Sequence, residues 1–329
     1  MLLQSFATAS GNLGRPVVPA AYYRTFCHRH PILKRIHPGE VVFTQTLDAS
    51  GRDLNGEVRH PDPGNPLTGA FFIEGAEPGD AILVHLRKVR PNRNWGYTKF
   101  RLLLEALEPA AIENLYPNLY KPDSVISGRS NVVRWDLNLE TGNVHLREPV
   151  SDRIELKFPA IPMLGCIGVA APGDFAPTSG PAGSYGGNLD YNEVREGATV
   201  ILPVYHSGAL LSVGDGHALM ADGEPIGNGI ETSMDVEFSV DVRKNADLRG
   251  PRVENAEYVM SVGAQPEFSS SLDRALQMAT TDMVAWLTNE YKLEPWAAHL
   301  LIAMQGKYDV VTVAGSMALR VSKKYLPSN

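Results

Sequence analysis

Cysteine is scarce in this chain: Cys27 and Cys166 are the only 2 among 329 residues, and they lie far apart. Two distant thiols exclude a disulfide framework and a zinc knuckle built on cysteine pairs. No apolar run approaches the roughly 18 residues that a membrane-spanning helix needs. Basic residues are in deficit, 30 against 37 acidic, which leaves a net charge of −7. That balance argues against attachment to nucleic acid by phosphate neutralisation and against an anionic membrane surface. The opening MLLQSFATASGN has neither a basic start nor a signal-like apolar stretch, so a reducing cytoplasmic setting is expected. Several catalytic signatures are missing too. There is no G-x-S-x-G elbow, Walker loop, G-x-G-x-x-G fingerprint or H-E-x-x-H helix.

Turn formers are what the chain has in surplus, with 30 Gly and 24 Pro spread along its length. Three segments, 37–51, 77–91 and 195–209, place a glycine turn beside an acid and follow it with an apolar, β-branched run. Proline presets one turn dihedral and glycine accepts the next, so such pairs start strands crisply. The expected fold is α+β and predominantly β, with an antiparallel sandwich or barrel body and an α+β C-terminal portion. Three interwoven parts are expected: 1–160, 161–245 carrying the site, and 246–329. A short helix is expected within 99–115, and strands at 131–138, 142–148 and 153–158. Leu272, Leu276, Ala279, Met283 and Leu287 form one helical stripe, with Ser270 and Asp273 as a capping box. Pro295 suits the first turn of a second helix whose apolar face is Trp296, Leu300 and Ala303, and 309–316 returns to strand.

Chemistry concentrates in 183–231. Asn188, Asp190, Asp215, His217, Asp222, Glu224 and Glu231 fall there, interleaved with glycines. Asp215 and His217 are two apart, as are Asp222 and Glu224, so in extended chain each pair shares a face. Carboxylates with one imidazole can hold Zn²⁺, Mn²⁺ or a harder ion, or do acid–base work without metal. The plain alternative is that the Asp-Gly pairs only mark hairpin turns. Outside this cluster, His28 and His30 read as a loop pair ahead of Pro31, and His85 as a surface strand position. Cys166, in an apolar run, reads as an inert core thiol.

The blocks TLDA (46–49), NPLTG (65–69), EGAEPGD (74–80), GGNLD (186–190), GALLSVGDGH (208–217) and DGE (222–224), with Glu231 beyond, occur in one order. In this the chain resembles the acetamidase/formamidase family of small-amide hydrolases. The resemblance implies a β-rich fold with jelly-roll-like and barrel-like parts, ammonia release from a small linear amide, and a divalent metal. Zn²⁺ is the first choice, with Ca²⁺ or Mn²⁺ as alternatives. Glu224 is the expected proton shuttle, Asn188 the donor to the oxyanion, and Glu231 a second acid. Asp190, His217 and Asp215 are the expected metal ligands or water-orienting groups, and Asp48 joins the catalytic set through the resemblance alone. The chain departs from the family pattern at Ala70, 181–185, His206 and Met220–Ala221, positions that bear on substrate choice. Trp95, Tyr185 and His206 are expected to crowd the entrance. A homo-oligomer is expected. Two competing readings are a non-catalytic β-sandwich module holding Ca²⁺ and a carbohydrate, and a hydrolase of cyclic amides.

Overall fold

The computed structural model describes residues 14–111, 132–149, 151–264 and 271–327. The glycines that open the three recurrent segments, Gly39, Gly79 and Gly197, all sit at positive φ (81°, 92° and 88°), and a strand follows each. Two sheets result. One has 8 strands in the order Lys307–Thr312, Ser316–Ser322, Tyr258–Gly263, Arg252–Glu254, Thr199–Pro203, Ala81–Pro91, Met234–Arg243 and Val41–Gln45. The other has 11 strands and is centred on Met163–Gly168 and Leu211–His217. Among the described strands only Lys34–Ile36 and Leu67–Ile73 pair in parallel. The body is therefore antiparallel, as expected.

The two sheets bury a common core. Phe71 from the larger sheet meets Phe238 from the smaller one edge to face, with ring centroids 5.3 Å apart. Truncating either ring would cost about 3–5 kcal/mol. Burial patterns separate the strands by role. Val41–Gln45 alternates between buried and half-exposed positions, while Met163–Gly168 and Leu211–His217 are buried at every residue. A polar side chain on these last two strands has no direct route to water and must find a partner or a ligand.

Two helices cover the C-terminal end: α1 (Leu272–Asn289) and α2 (Pro295–Gln305). The buried face of α1 is Ala275, Ala279, Met283, Trp286 and Leu287, whereas Leu276 is exposed. The expected stripe thus holds at Ala279, Met283 and Leu287 but not at Leu276. Gly263 brings the sheet so close that a Cβ there would collide with the Ala275 carbonyl, so the small alanines face inward. Ser270 of the expected capping box lies outside the described residues. In α2 only Ala298 is buried; Trp296, Leu300 and Ala303 face outward, against expectation. The described part of 99–115 holds a 3-10 turn, Leu104–Ala106, and α-helical backbone at 109–111. Strands form at Val133–Asn138 and Asn143–Leu146 as expected, but the third covers only Lys157–Pro159. No described helix is long and apolar enough to cross a membrane.

Candidate active site

The all-buried strand Leu211–His217 carries Asp215 and His217, and both side chains reach one site. Its partner Met163–Gly168 places Gly165 opposite Asp215, because Gly214 pairs with Cys166 and Gly216 with Leu164. On the other side His217 pairs with Glu231, which in turn pairs with Tyr97. Asp190 follows the short strand Gly186–Asn188, and its amide donates to the Gly165 carbonyl at 3.2 Å. Glu224 comes from the turn after Gly223. That turn is pinned by a bond from the Val313 amide to the Gly223 carbonyl at 2.8 Å, so the tip of the C-terminal hairpin holds it. Of these residues, Tyr97, Asp190, Asp215, Glu224 and Glu231 line a cavity of about 690 Å³.

Asp190, Asp215 and His217 offer ligand atoms within 4.8 Å of one another, so the three expected ligands do come together and can hold a metal ion. The fit is visible in what these atoms lack. Asp190 Oδ1, Asp215 Oδ1, Glu231 Oε2 and both ring nitrogens of His217 are buried without a hydrogen-bond partner. His217 Nε2 lies 3.1 Å from Glu231 Oε1 and 3.5 Å from Asp215 Oδ1, near enough for attraction but poorly aligned. Orphaned polar atoms at this density cost folding energy unless a ligand satisfies them. Gly165 completes the cradle, since a Cβ there would meet Asp190 Oδ1 and Asp215 Oδ2 at 2.5 Å.

Backbone strain marks the same place. Asn65, Asp190, Asp215 and Glu224 have φ of 55°, 46°, 55° and 45°. Left-handed backbone costs energy for residues with a Cβ, least for Asn and Asp, and clusters where function demands it. Charge is crowded as well. Burial pushes the Asp190, Glu224 and Glu231 carboxyls up from their ordinary values, and mutual repulsion among them and Asp215 adds to it. Burial pulls the His217 imidazolium down, but the Glu231 and Asp215 carboxylates more than reverse that, and its pKa rises. Burial and Glu231 together hold the Tyr97 hydroxyl protonated well above its usual range.

Other expected residues stand elsewhere. Asp48 does not line the cavity. Its Oδ1 accepts from the Ser50 and Arg52 amides and the Ser50 hydroxyl, and its Oδ2 from Arg93 at 2.6 Å. It anchors a loop whose Ser50 does reach the cavity. Asn188 lines the cavity, but one N–H of its amide is spent on Asp190, which leaves a single N–H for an oxyanion. Asp222 and Glu224 do not share a face: the segment turns, so Asp222 is exposed and bonds Asn192 while Glu224 is buried. Of the departures from the family pattern, only Pro181 and Ala182 line the cavity. Trp95, Tyr185 and His206 do not. Trp95 lies under the Arg93 guanidinium, Tyr185 is in the core, and His206 stacks on His28. Tyr97 and Lys99 reach the cavity in their place, and sequence spacing gives no hint of either. Cys166 is buried as expected, yet it touches the site: its thiol bonds Asn188 Oδ1 at 2.8 Å.

The chain is similar to several known proteins. An acetamidase from Yersinia enterocolitica superposes with a TM-score of 0.76 at 25% identity, covering 94% of this chain and 90% of that one. An acetamidase of Mycolicibacterium smegmatis is 27% identical over 213 residues, 52% of each chain. A Schizosaccharomyces pombe protein named for formamidase activity is 26% identical over 234 residues, 59% of this chain and 57% of its own. The chain thus spans about half the length of these last two relatives. Residues 25–179 and 169–274 match the Acetamidase/Formamidase family, far more than half of the sequence, and the chain belongs to that family.

Proposed function

We propose that the chain is an amidase that hydrolyses the C–N bond of small linear amides, giving a carboxylate and ammonia, with Zn²⁺ as the resident metal. The observation that carries this reading is the set of partnerless ligand atoms on Asp190, Asp215 and His217, of which the two aspartates line the cavity. A divalent ion held by those three residues would lower the pKa of its bound water and polarise the amide carbonyl. One His with two carboxylates is a donor set that Zn²⁺ accepts, and the small Gly165 leaves room for it.

Amide cleavage also needs proton traffic, because the amine is a poor leaving group until protonated. Glu224 is the shuttle. Its buried carboxyl lies against Asp190, takes the proton that the attacking water loses, and delivers it to the departing nitrogen. The water oxygen bonds the carbonyl carbon as it gives up that proton. The resulting tetrahedral intermediate collapses with cleavage of the C–N bond once the nitrogen is protonated, so that ammonia leaves. Asn188 gives its remaining N–H, and Tyr97 its hydroxyl, to the carbonyl oxygen as it gains charge. Glu231, beside His217, balances the charge of the imidazole and holds it in place. A cytoplasmic homo-oligomer completes the proposal.

Ammonia release from formamide, acetamide and propionamide, with ring opening of one cyclic amide followed as formation of the amino acid, tests it. Turnover of the short linear amides is expected, with kcat/KM falling as the acyl chain grows. Ring opening of the cyclic amide without ammonia release from any linear amide would favour the cyclic-amide alternative. No turnover of any substrate would favour the Ca²⁺ and carbohydrate module.

A further inference from the structure

Three neutral side chains lie directly beneath the carboxylate pair: Asn65, Cys166 and Asn188. Asn65 Nδ2 donates to Asp215 Oδ2 at 3.1 Å and to Asn188 Oδ1 at 3.2 Å. The Cys166 thiol donates to that same Asn188 Oδ1 at 2.8 Å, and Asn188 Nδ2 donates to Asp190 Oδ2. The direction of this chain follows from chemistry. A carboxylate only accepts, so the Asn188 nitrogen faces Asp190 and its oxygen faces the thiol and Asn65. Each carboxylate is therefore tethered through Oδ2 by an amide N–H, and on each the other oxygen, Oδ1, is buried without a hydrogen-bond partner. The symmetry is the point. The tethers fix both carboxyl groups by one oxygen and leave the other without a hydrogen bond, that of Asp215 lying 3.5 Å from His217 Nε2 and that of Asp190 over Gly165.

We infer that Asn65 is a positioning residue that sets the geometry of the cation site, acting on Asp215 directly and on Asp190 through Asn188, whose orientation Cys166 locks. The inference rests on the metal reading above. It adds a role for a residue that stands before Pro66 at a φ of 55°, on a loop 150 positions away in sequence from Asp215. The left-handed backbone aims the amide inward, and Asn is the donor-bearing residue that tolerates it best. The same logic makes Cys166 more than a filler: it is a small donor in a place where water cannot supply one.

The test is Zn²⁺ affinity, measured on metal-free protein by competition with a chromophoric chelator, with the visible spectrum of the Co²⁺-loaded protein as a second readout. Residues that orient metal ligands typically change affinity 10- to 100-fold when removed. Asn65→Ala is expected to weaken Zn²⁺ binding by that factor and to shift the Co²⁺ bands, and Asn65→Ser to do the same should the alanine variant fold poorly. Cys166→Ser, which keeps a donor, is expected to stay within threefold of the parent, and Cys166→Ala to fall between. A folded Asn65→Ala or Asn65→Ser protein with parental Zn²⁺ affinity and an unshifted Co²⁺ spectrum would overturn the inference while leaving the metal reading intact. A parent protein that binds neither ion would overturn both.

Discussion

Two buried carboxylates in this molecule live in opposite circumstances. Asp48 has every oxygen engaged, with two backbone amides, a hydroxyl and the Arg93 guanidinium around it. Arg93 is equally satisfied: it also bonds the Trp95 carbonyl, the Thr232 hydroxyl and the Asp53 carbonyl, and it stacks on the Trp95 ring. Asp215 is as deeply buried but keeps one oxygen bare, beside an imidazole with no aligned partner. A closed network is what a structural ion pair requires, and an open one is what a ligand requires. Both aspartates stand out in the sequence; only the completeness of their bonding tells anchor from site.

The largest effect expected on the open cluster follows from Glu224→Gln. Glutamine keeps the shape and reach of the side chain but cannot carry a proton, and general acid–base catalysis is worth about 10²- to 10⁴-fold. Steady-state ammonia assays should show kcat falling by at least about two decades, with little change in thermal midpoint. Glu231→Gln is the control. Should it abolish turnover while Glu224→Gln leaves turnover near the parent value, Glu231 is the shuttle.

The closed network breaks differently. Arg93→Met leaves Asp48 buried and unpaired, and removing one partner of a buried ion pair costs about 3–5 kcal/mol. Denaturant unfolding should record that loss. A change below about 1 kcal/mol would show that the pair is not the anchor described.

Proton linkage gives a smaller and signed contrast. In metal-free protein the Asp190, Glu224 and Glu231 carboxyls have folded values above their unfolded ones, so the folded state binds more protons and loses stability as pH rises. His217 is raised too, and its contribution is present below its ordinary value and lost above it, in the same direction. Thermal midpoints of chelated protein should fall from about pH 4, where unfolded carboxylates titrate, and go on falling past neutrality to about pH 8, the folded value of Glu231. A flat or rising profile would contradict the crowding described here.

Much of this was legible in the residues. Glycine turns located the strands that follow Gly39, Gly79 and Gly197, because a left-handed dihedral is a local requirement. The period-two spacing of Asp215 and His217 put both at one site, where the structure brings their ligand atoms together even though Asp215 itself stands at a φ of 55°. The same spacing misled at Asp222 and Glu224, where the chain turns. Asn65 and Tyr97 were invisible as site residues: only sheet pairing and a loop crossing bring them in from far along the sequence. Asp48 was noticed for its motif and misplaced in role, since nothing local reveals that Arg93 takes its charge. The face of α1 was legible at Ala279, Met283 and Leu287, which are buried, but not at Leu276, which is exposed while Ala275 packs against Gly263.

The central claim is that the open cluster is a metal-dependent hydrolytic site, and one titration tests it most directly. Protein is chelated until elemental analysis shows no divalent ion, and ammonia release from acetamide is followed as Zn²⁺ is added back. The account predicts no turnover at the start and a rise that saturates near one equivalent per chain. Full turnover in the metal-free sample would contradict it and give His217 a proton-transfer role instead.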